Sequence, residues 1–152
     1  MTTYVPVNLQ RRIRDRFGNC CAYCRTAEHL TATTFEFEHI TAQSAGGETT
    51  FENLCLSCPM CNRFKSDQMA AIDPITLDRV PLFHPQQTRW TDHFKWNDDH
   101  TEIVGLTPIG RATVSALKMN RTQMVQVRRM WVVLGEHPTM TSDGTDFDHS
   151  IF

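Results

Sequence analysis

Two Cys-x-x-Cys pairs, Cys21/Cys24 and Cys58/Cys61, bracket a short run that holds Glu38 and His39, and Asn62 follows the second pair directly. Four thiolates with two-residue spacers suit tetrahedral zinc, because each pair can grip one edge of the tetrahedron. Such a site leaves no open position, so the zinc is expected to be structural, not catalytic. The register is open at this level, since Cys20/Cys24 and Cys55/Cys58 are also close pairs. Cys58/Cys61 is preferred because Pro59 supports a turn there, and Cys55, between Leu54 and Leu56, reads as a buried thiol. The other residues suggest a different chemistry. Hydrolysis of a phosphodiester needs a base for water, a cation for the developing charge, and ligands for that cation. His39 can be the base because imidazole titrates near neutrality. Glu38 and Asn62 offer hard oxygen donors suited to Mg2+ or Mn2+. One difficulty is geometric: neighbours on a regular strand point to opposite faces, so Glu38 and His39 share a site only where the strand ends or twists.

The elements that must position these groups can be read in outline. Asn8 is a candidate cap for a first helix whose Leu9, Ile13 and Phe17 share a face and whose stop is Gly18. Arg11, Arg12, Arg14 and Arg16 cover its remaining surface, either as phosphate contacts or as an exposed face. Residues 33–40 alternate, with Phe35 and Phe37 separated by Glu36 and Glu38, and read as a strand. Gly46-Gly47 marks a loop, residues 51–56 read as a helical turn, and residues 62–69 as a helix. Residues 73–85 are turn-rich. Trp90, Phe94 and Trp96 suggest a strand pair over residues 89–104. Two helices are expected near 109–119 and 121–134, and the acidic tail from Thr139 to Phe152 is expected to be disordered.

The chain has 152 residues, 40% of them hydrophobic, which suits one modest core with an added staple. The division expected is a metal-stapled core over residues 1–70, an extension with two helices over 71–138, and the tail over 139–152. No apolar run is long enough to span a bilayer. Residues 1–10 lack the features of a signal peptide. A soluble cytoplasmic protein is expected, in which six cysteines favour metal ligation over disulfides. The net charge of −2 does not itself suggest nucleic acid. The distribution matters more: residues 108–135 are basic and free of acidic side chains, with Arg128 and Arg129 at the densest point. This block reads as a nucleic-acid contact or as a solvated helical face. The histidines other than His39 show no ligand spacing.

Taken together, Cys21-x-x-Cys24, Glu38-His39-Ile40, Gly46-Gly47, Asn53-Leu54, Cys58-x-x-Cys61-Asn62 and Lys65 resemble the HNH, or ββα-metal, nuclease family, over about residues 11–68. The resemblance implies an α+β fold in which two strands and a helix hold one divalent cation, stapled here by a four-cysteine zinc. It implies His39 as general base, Glu38 and Asn62 as ligands of the catalytic Mg2+ or Mn2+, and Asn53 as a brace for the loop carrying His39. DNA, in double-stranded form, is the implied partner, with Arg63 and Lys65 as phosphate contacts on the helix after Cys61. Three positions depart from the commonest pattern. Glu38 stands for the usual Asp, Asn62 for the last His, and Thr41-Ala42-Gln43 for a segment that often holds Pro and a basic residue. Residues 81–134 also look like downstream portions of some small bacterial HNH proteins. Two rival readings are a zinc module that binds nucleic acid without cutting it, and a nuclease directed at RNA.

Overall fold

A computed structural model describes residues 4–138; the tail expected to be disordered lies outside the described residues. Helix α1 (Val7–Phe17) buries Ile13 and Phe17 and ends at Gly18, whose φ of 60° a residue with a Cβ rarely adopts. Its start differs from expectation. Pro6 precedes the helix, Asn8 lies inside the first turn, and no side chain caps the end.

Strands β1 (Glu36–His39) and β2 (Leu54–Ser57) form an antiparallel ribbon that pairs Glu36 with Ser57, Phe37 with Leu56, Glu38 with Cys55 and His39 with Leu54. The helical turn expected over residues 51–56 is only a short 3-10 turn, Phe51–Asn53, that leads into β2. Every residue of β2 is buried, so the alternation that marks a half-exposed strand is missing. Helix α2 (Pro59–Lys65) begins earlier than the expected residue 62 and stops at Lys65, ahead of Met69. Cys58 precedes it as the cap, with its Sγ accepting the Cys61 N–H at 3.4 Å, and Pro59 takes the first helical position, where a missing N–H costs nothing.

The second half of the chain makes two more ribbons. Strands β3 (Ala70–Ile72) and β4 (Arg79–Pro81) form one, and β5 (Phe94–Trp96) and β6 (Ile103–Gly105) the other. The strand pair expected over 89–104 is therefore present in part, but Trp90 belongs to a short helix, α3 (Trp90–His93), instead. Helix α4 (Pro108–Ala116) is capped by Thr107, whose hydroxyl accepts the Gly110 N–H at 3.0 Å. Helix α5 (Thr122–Val133) follows. Asp73, at the β3 turn, receives Arg111 of α4 in a two-pronged pair at 2.9 and 2.8 Å. The ribbons and helices share one apolar cluster: Ile13, Phe17, Tyr23 and Leu56 pack with Phe83, Trp90, Phe94 and Leu117. The Trp90 indole donates to the Tyr23 carbonyl at 2.8 Å, so the core runs without interruption across residue 70.

Candidate functional site

Two tight turns build the first centre. In the first, the Arg25 N–H reaches back to the Cys21 carbonyl at 3.0 Å and Arg25 adopts a φ of 63°. In the second, the Cys58 turn runs straight into α2. Their thiols meet: the Sγ atoms of Cys21, Cys24, Cys58 and Cys61 all lie within 4.8 Å of one another, and all four residues are buried. Zinc–sulfur bonds of about 2.3 Å at tetrahedral angles give sulfur–sulfur edges of about 3.8 Å. Cys24 and Cys58 are 3.8 Å apart, so the donor set fits zinc. Hydrogen bonds from the other three thiols hold Cys24 well below the ordinary thiol range, while Cys58 and Cys61 are pushed up. Four crowded thiols that cannot all ionise alone are the expected state of a thiolate site in want of a cation. The remaining cysteines stand apart: Cys20 Sγ faces the Gly18 carbonyl at 3.5 Å, and Cys55 Sγ lies 3.7 Å from the Tyr23 hydroxyl.

The second centre lies on β1 beneath α2. Period-two alternation puts Glu36 and Glu38 on one face of the strand, but their environments differ. Glu38 is only 5% exposed. Its Oε1 lies 2.8 Å from the Lys65 ammonium, and its Oε2 accepts from Cys55 Sγ at 3.3 Å. Burial raises the Glu38 carboxyl above its usual range, and the Lys65 charge pulls the other way. Glu36 is exposed and is hydrogen-bonded to the Asn62 side chain. The structure therefore brings Asn62 together with Glu36 and not with Glu38. The expected pairing of Glu38 and Asn62 around one cation is corrected on this geometry, because the Glu38 carboxylate faces the interior. Lys65 is likewise corrected as a phosphate contact. It is 1% exposed, and its Nζ also donates to the Ile40 carbonyl at 2.8 Å. Arg63, on the outer side of α2, is exposed.

His39 ends β1 and points away from that face. It is partly buried, and its Nε2 lies 2.8 Å from Thr49 Oγ1. Burial lowers its pKa below the ordinary 6.5, so the ring is neutral at pH 7. Asn53 clasps the loop that follows. Its Oδ1 accepts the Thr41 N–H at 2.8 Å, and its Nδ2 donates to the carbonyls of Thr41 at 3.0 Å and Glu48 at 2.9 Å. Gly47 sits inside this clasp, where a Cβ would stand 1.8 Å from the Thr41 carbonyl oxygen. Gly47→Ala is expected to destabilise the protein by about 1–3 kcal/mol, the usual cost of forcing an atom into packed structure. Denaturant unfolding of the zinc-loaded variant checks this; an unchanged midpoint would show that the loop simply yields.

The basic residues separate in the same way. Arg12 stacks on Phe51, Arg14 pairs with Glu28 and covers Phe37, and Arg16 is buried. Arg128 is fully buried. Its guanidinium donates to the carbonyls of Thr101 at 3.0 Å and Met119 at 2.8 Å and to Asn120 Oδ1 at 3.2 Å, and lies over Trp96. Contact between Arg128 and phosphate is thereby corrected, since its donors are spent inside the fold. Arg129 is exposed. Arg128→Ala is expected to cost several kcal/mol, at about 1–3 kcal/mol for each buried acceptor left unmatched. Arg129→Ala is expected to leave stability within about 0.5 kcal/mol, as most surface changes do. If it meets phosphate, Arg129→Ala should lower the salt slope of DNA binding by about 0.9. Urea titrations and salt-dependent binding curves read the two effects separately.

Glu36, Thr49 and Tyr23 were not singled out from the sequence. Only Glu36 carried a signal, its parity with Glu38 on one strand. Among the described residues, the four cysteines are the one group of three or more Cys, His, Asp or Glu side chains whose ligand atoms converge. No described helix is long and apolar enough to cross a membrane. Residues 21–68 match the family model for HNH endonuclease. Comparison with the curated proteins and with the solved structures gave no match.

Proposed function

We propose, from the HNH endonuclease domain at residues 21–68, that the protein is a metal-dependent endonuclease that hydrolyses phosphodiester bonds in double-stranded DNA. The observation that carries the reading is the state of His39: a neutral imidazole at a strand end, held at one nitrogen by Thr49, with the following loop clasped by Asn53. When Nε2–H donates to Thr49 Oγ1, the lone pair on Nδ1 is left to take a proton from water. A bound Mg2+ or Mn2+ supplies charge stabilisation at the phosphate and its leaving oxygen. Asn62 would present its amide oxygen to that cation, and the four-cysteine zinc would hold α2, and Asn62 with it, against β1. Arg63 and Arg129 remain as exposed cations for the DNA backbone.

The test is incubation of the zinc-loaded protein with supercoiled plasmid and with a matched RNA, in Mg2+, in Mn2+ and in chelator. Nicked or linear plasmid with either cation, and none in chelator, is the expected result. One observation favours the rival reading of a zinc module that binds without cutting: Glu38 is turned inward, away from any cation outside. Retarded migration of DNA with no cleavage in either metal would establish that rival, and cleavage of the RNA alone would move the substrate class.

A further inference from the structure

We propose that Glu36, and not Glu38, is the carboxylate that holds the catalytic cation together with Asn62; this rests on the nuclease reading above. The two carboxylates of β1 form two rungs beneath α2. Glu36 and Glu38 are two residues apart on a strand, about 6.6 Å at the usual rise. Asn62 and Lys65 are three apart on a helix, about 4.5 Å. Strand and helix run in the same sense, so the pairs stack as Glu36–Asn62 and Glu38–Lys65.

The rungs are chemically distinct. The inner one is closed. Glu38 and Lys65 are 5% and 1% exposed, and the other partners within the pair's reach are Cys55 and the Ile40 carbonyl. Turning Glu38 outward would strand a buried ammonium with a carbonyl as its remaining partner, which a low-dielectric interior resists strongly. The outer rung is open. Glu36 is exposed and Asn62 partly so, and each ends in an oxygen that a hard divalent cation accepts. With no cation present the Asn62 amide turns its NH2 toward Glu36. Rotation of that amide places its oxygen beside the carboxylate, so that one charged and one neutral donor face the same point. Water and phosphate fill the other positions of such a site.

The inner rung then has a separate duty. Lys65 holds the Glu38 side chain on one side of His39 and the Ile40 carbonyl on the other. It fixes the backbone through the base without touching the cation.

The test reads Mn2+ binding without DNA, by titrating Mn2+ alone into zinc-loaded full-length protein and following free Mn2+ by electron paramagnetic resonance. Glu36→Gln is expected to weaken binding at least about tenfold, as loss of a charged ligand should. The double variant Glu38→Gln/Lys65→Met removes both buried charges together and leaves the interior neutral. It is expected to keep Mn2+ affinity within about twofold of the native chain, although its melting temperature changes. Native affinity in Glu36→Gln overturns the proposal, as does loss of Mn2+ in a folded double variant with Glu36 intact. Plasmid cleavage by the native protein, run alongside, distinguishes the two levels. If the native chain cuts and Glu36→Gln binds Mn2+ normally, the ligand assignment falls and the nuclease reading stands. If the native chain neither binds Mn2+ nor cuts, both fall.

Discussion

His39→Ala should lower DNA cleavage by about 10²–10⁴-fold, the range lost when a positioned proton acceptor is removed. Zinc content should stay native, because His39 is not among the four thiols. Stability should change little, since the ring is partly exposed and loses one hydrogen bond, to Thr49. The pH profile gives an independent check. Burial lowers the His39 pKa below 6.5, so the neutral base form predominates above that lowered value. Native cleavage is therefore expected to rise with pH through a midpoint below 6.5 and to level off before neutrality. The variant should lack this step. Rates measured by plasmid nicking in saturating Mn2+, beside zinc analysis and a thermal melt, decide the matter. A variant that cuts at the native rate would remove His39 from the chemistry.

Removing zinc is the second large effect. Sites of this type contribute roughly 10–16 kcal/mol to small domains, against a typical total stability of about 5–15 kcal/mol. Cys58→Ser is expected to lose zinc and to melt well below the native chain. Cys58 has two duties, since its sulfur is both a ligand and the acceptor for the first turn of α2. Its loss therefore loosens the helix that carries Asn62 and Lys65, and cleavage should fall with the fold. Cys20→Ser is the control, because its thiol stands outside the cluster. Elemental analysis and calorimetry measure both. Native zinc content and melting in Cys58→Ser would show that the four thiols are only a packed interior.

The sequence was most legible where the determinants were local. Two-residue spacers fix the geometry of a Cys-x-x-Cys turn whatever surrounds it, and Gly18 marks a helix end by its own backbone freedom. Legibility failed where a side chain's partner lies far along the chain. The alternation of residues 33–40 suggests aromatic residues inward and carboxylates outward; Phe35 obeys, but Glu38 is buried because Lys65 arrives from α2. The strand at Leu54–Ser57 was hidden because burial on both faces erases its period, and only β1 shows that it is extended. Arg128 misleads a count of charges, since its acceptors are carbonyls, which carry no formal charge. Of the candidate site, the base and the clasp were legible as residue types. Which carboxylate faces the cation depends on the packing of α2 and could not be read from spacing.

The Trp90 indole that reaches the Tyr23 carbonyl has a consequence for anyone who would treat residues 21–68 as a portable cassette. Tyr23 sits between two ligands of the zinc cluster, and its ring meets Phe83 edge-on at 6.5 Å. A transplant cut at residue 70 would leave that cysteine turn without its aromatic roof and open the chamber holding Glu38 and Lys65 to water. The later ribbons and helices are thus a housing for the cutting apparatus, and a new target preference is better sought by recasting exposed positions such as Arg63 and Arg129 than by grafting the motif onto another scaffold.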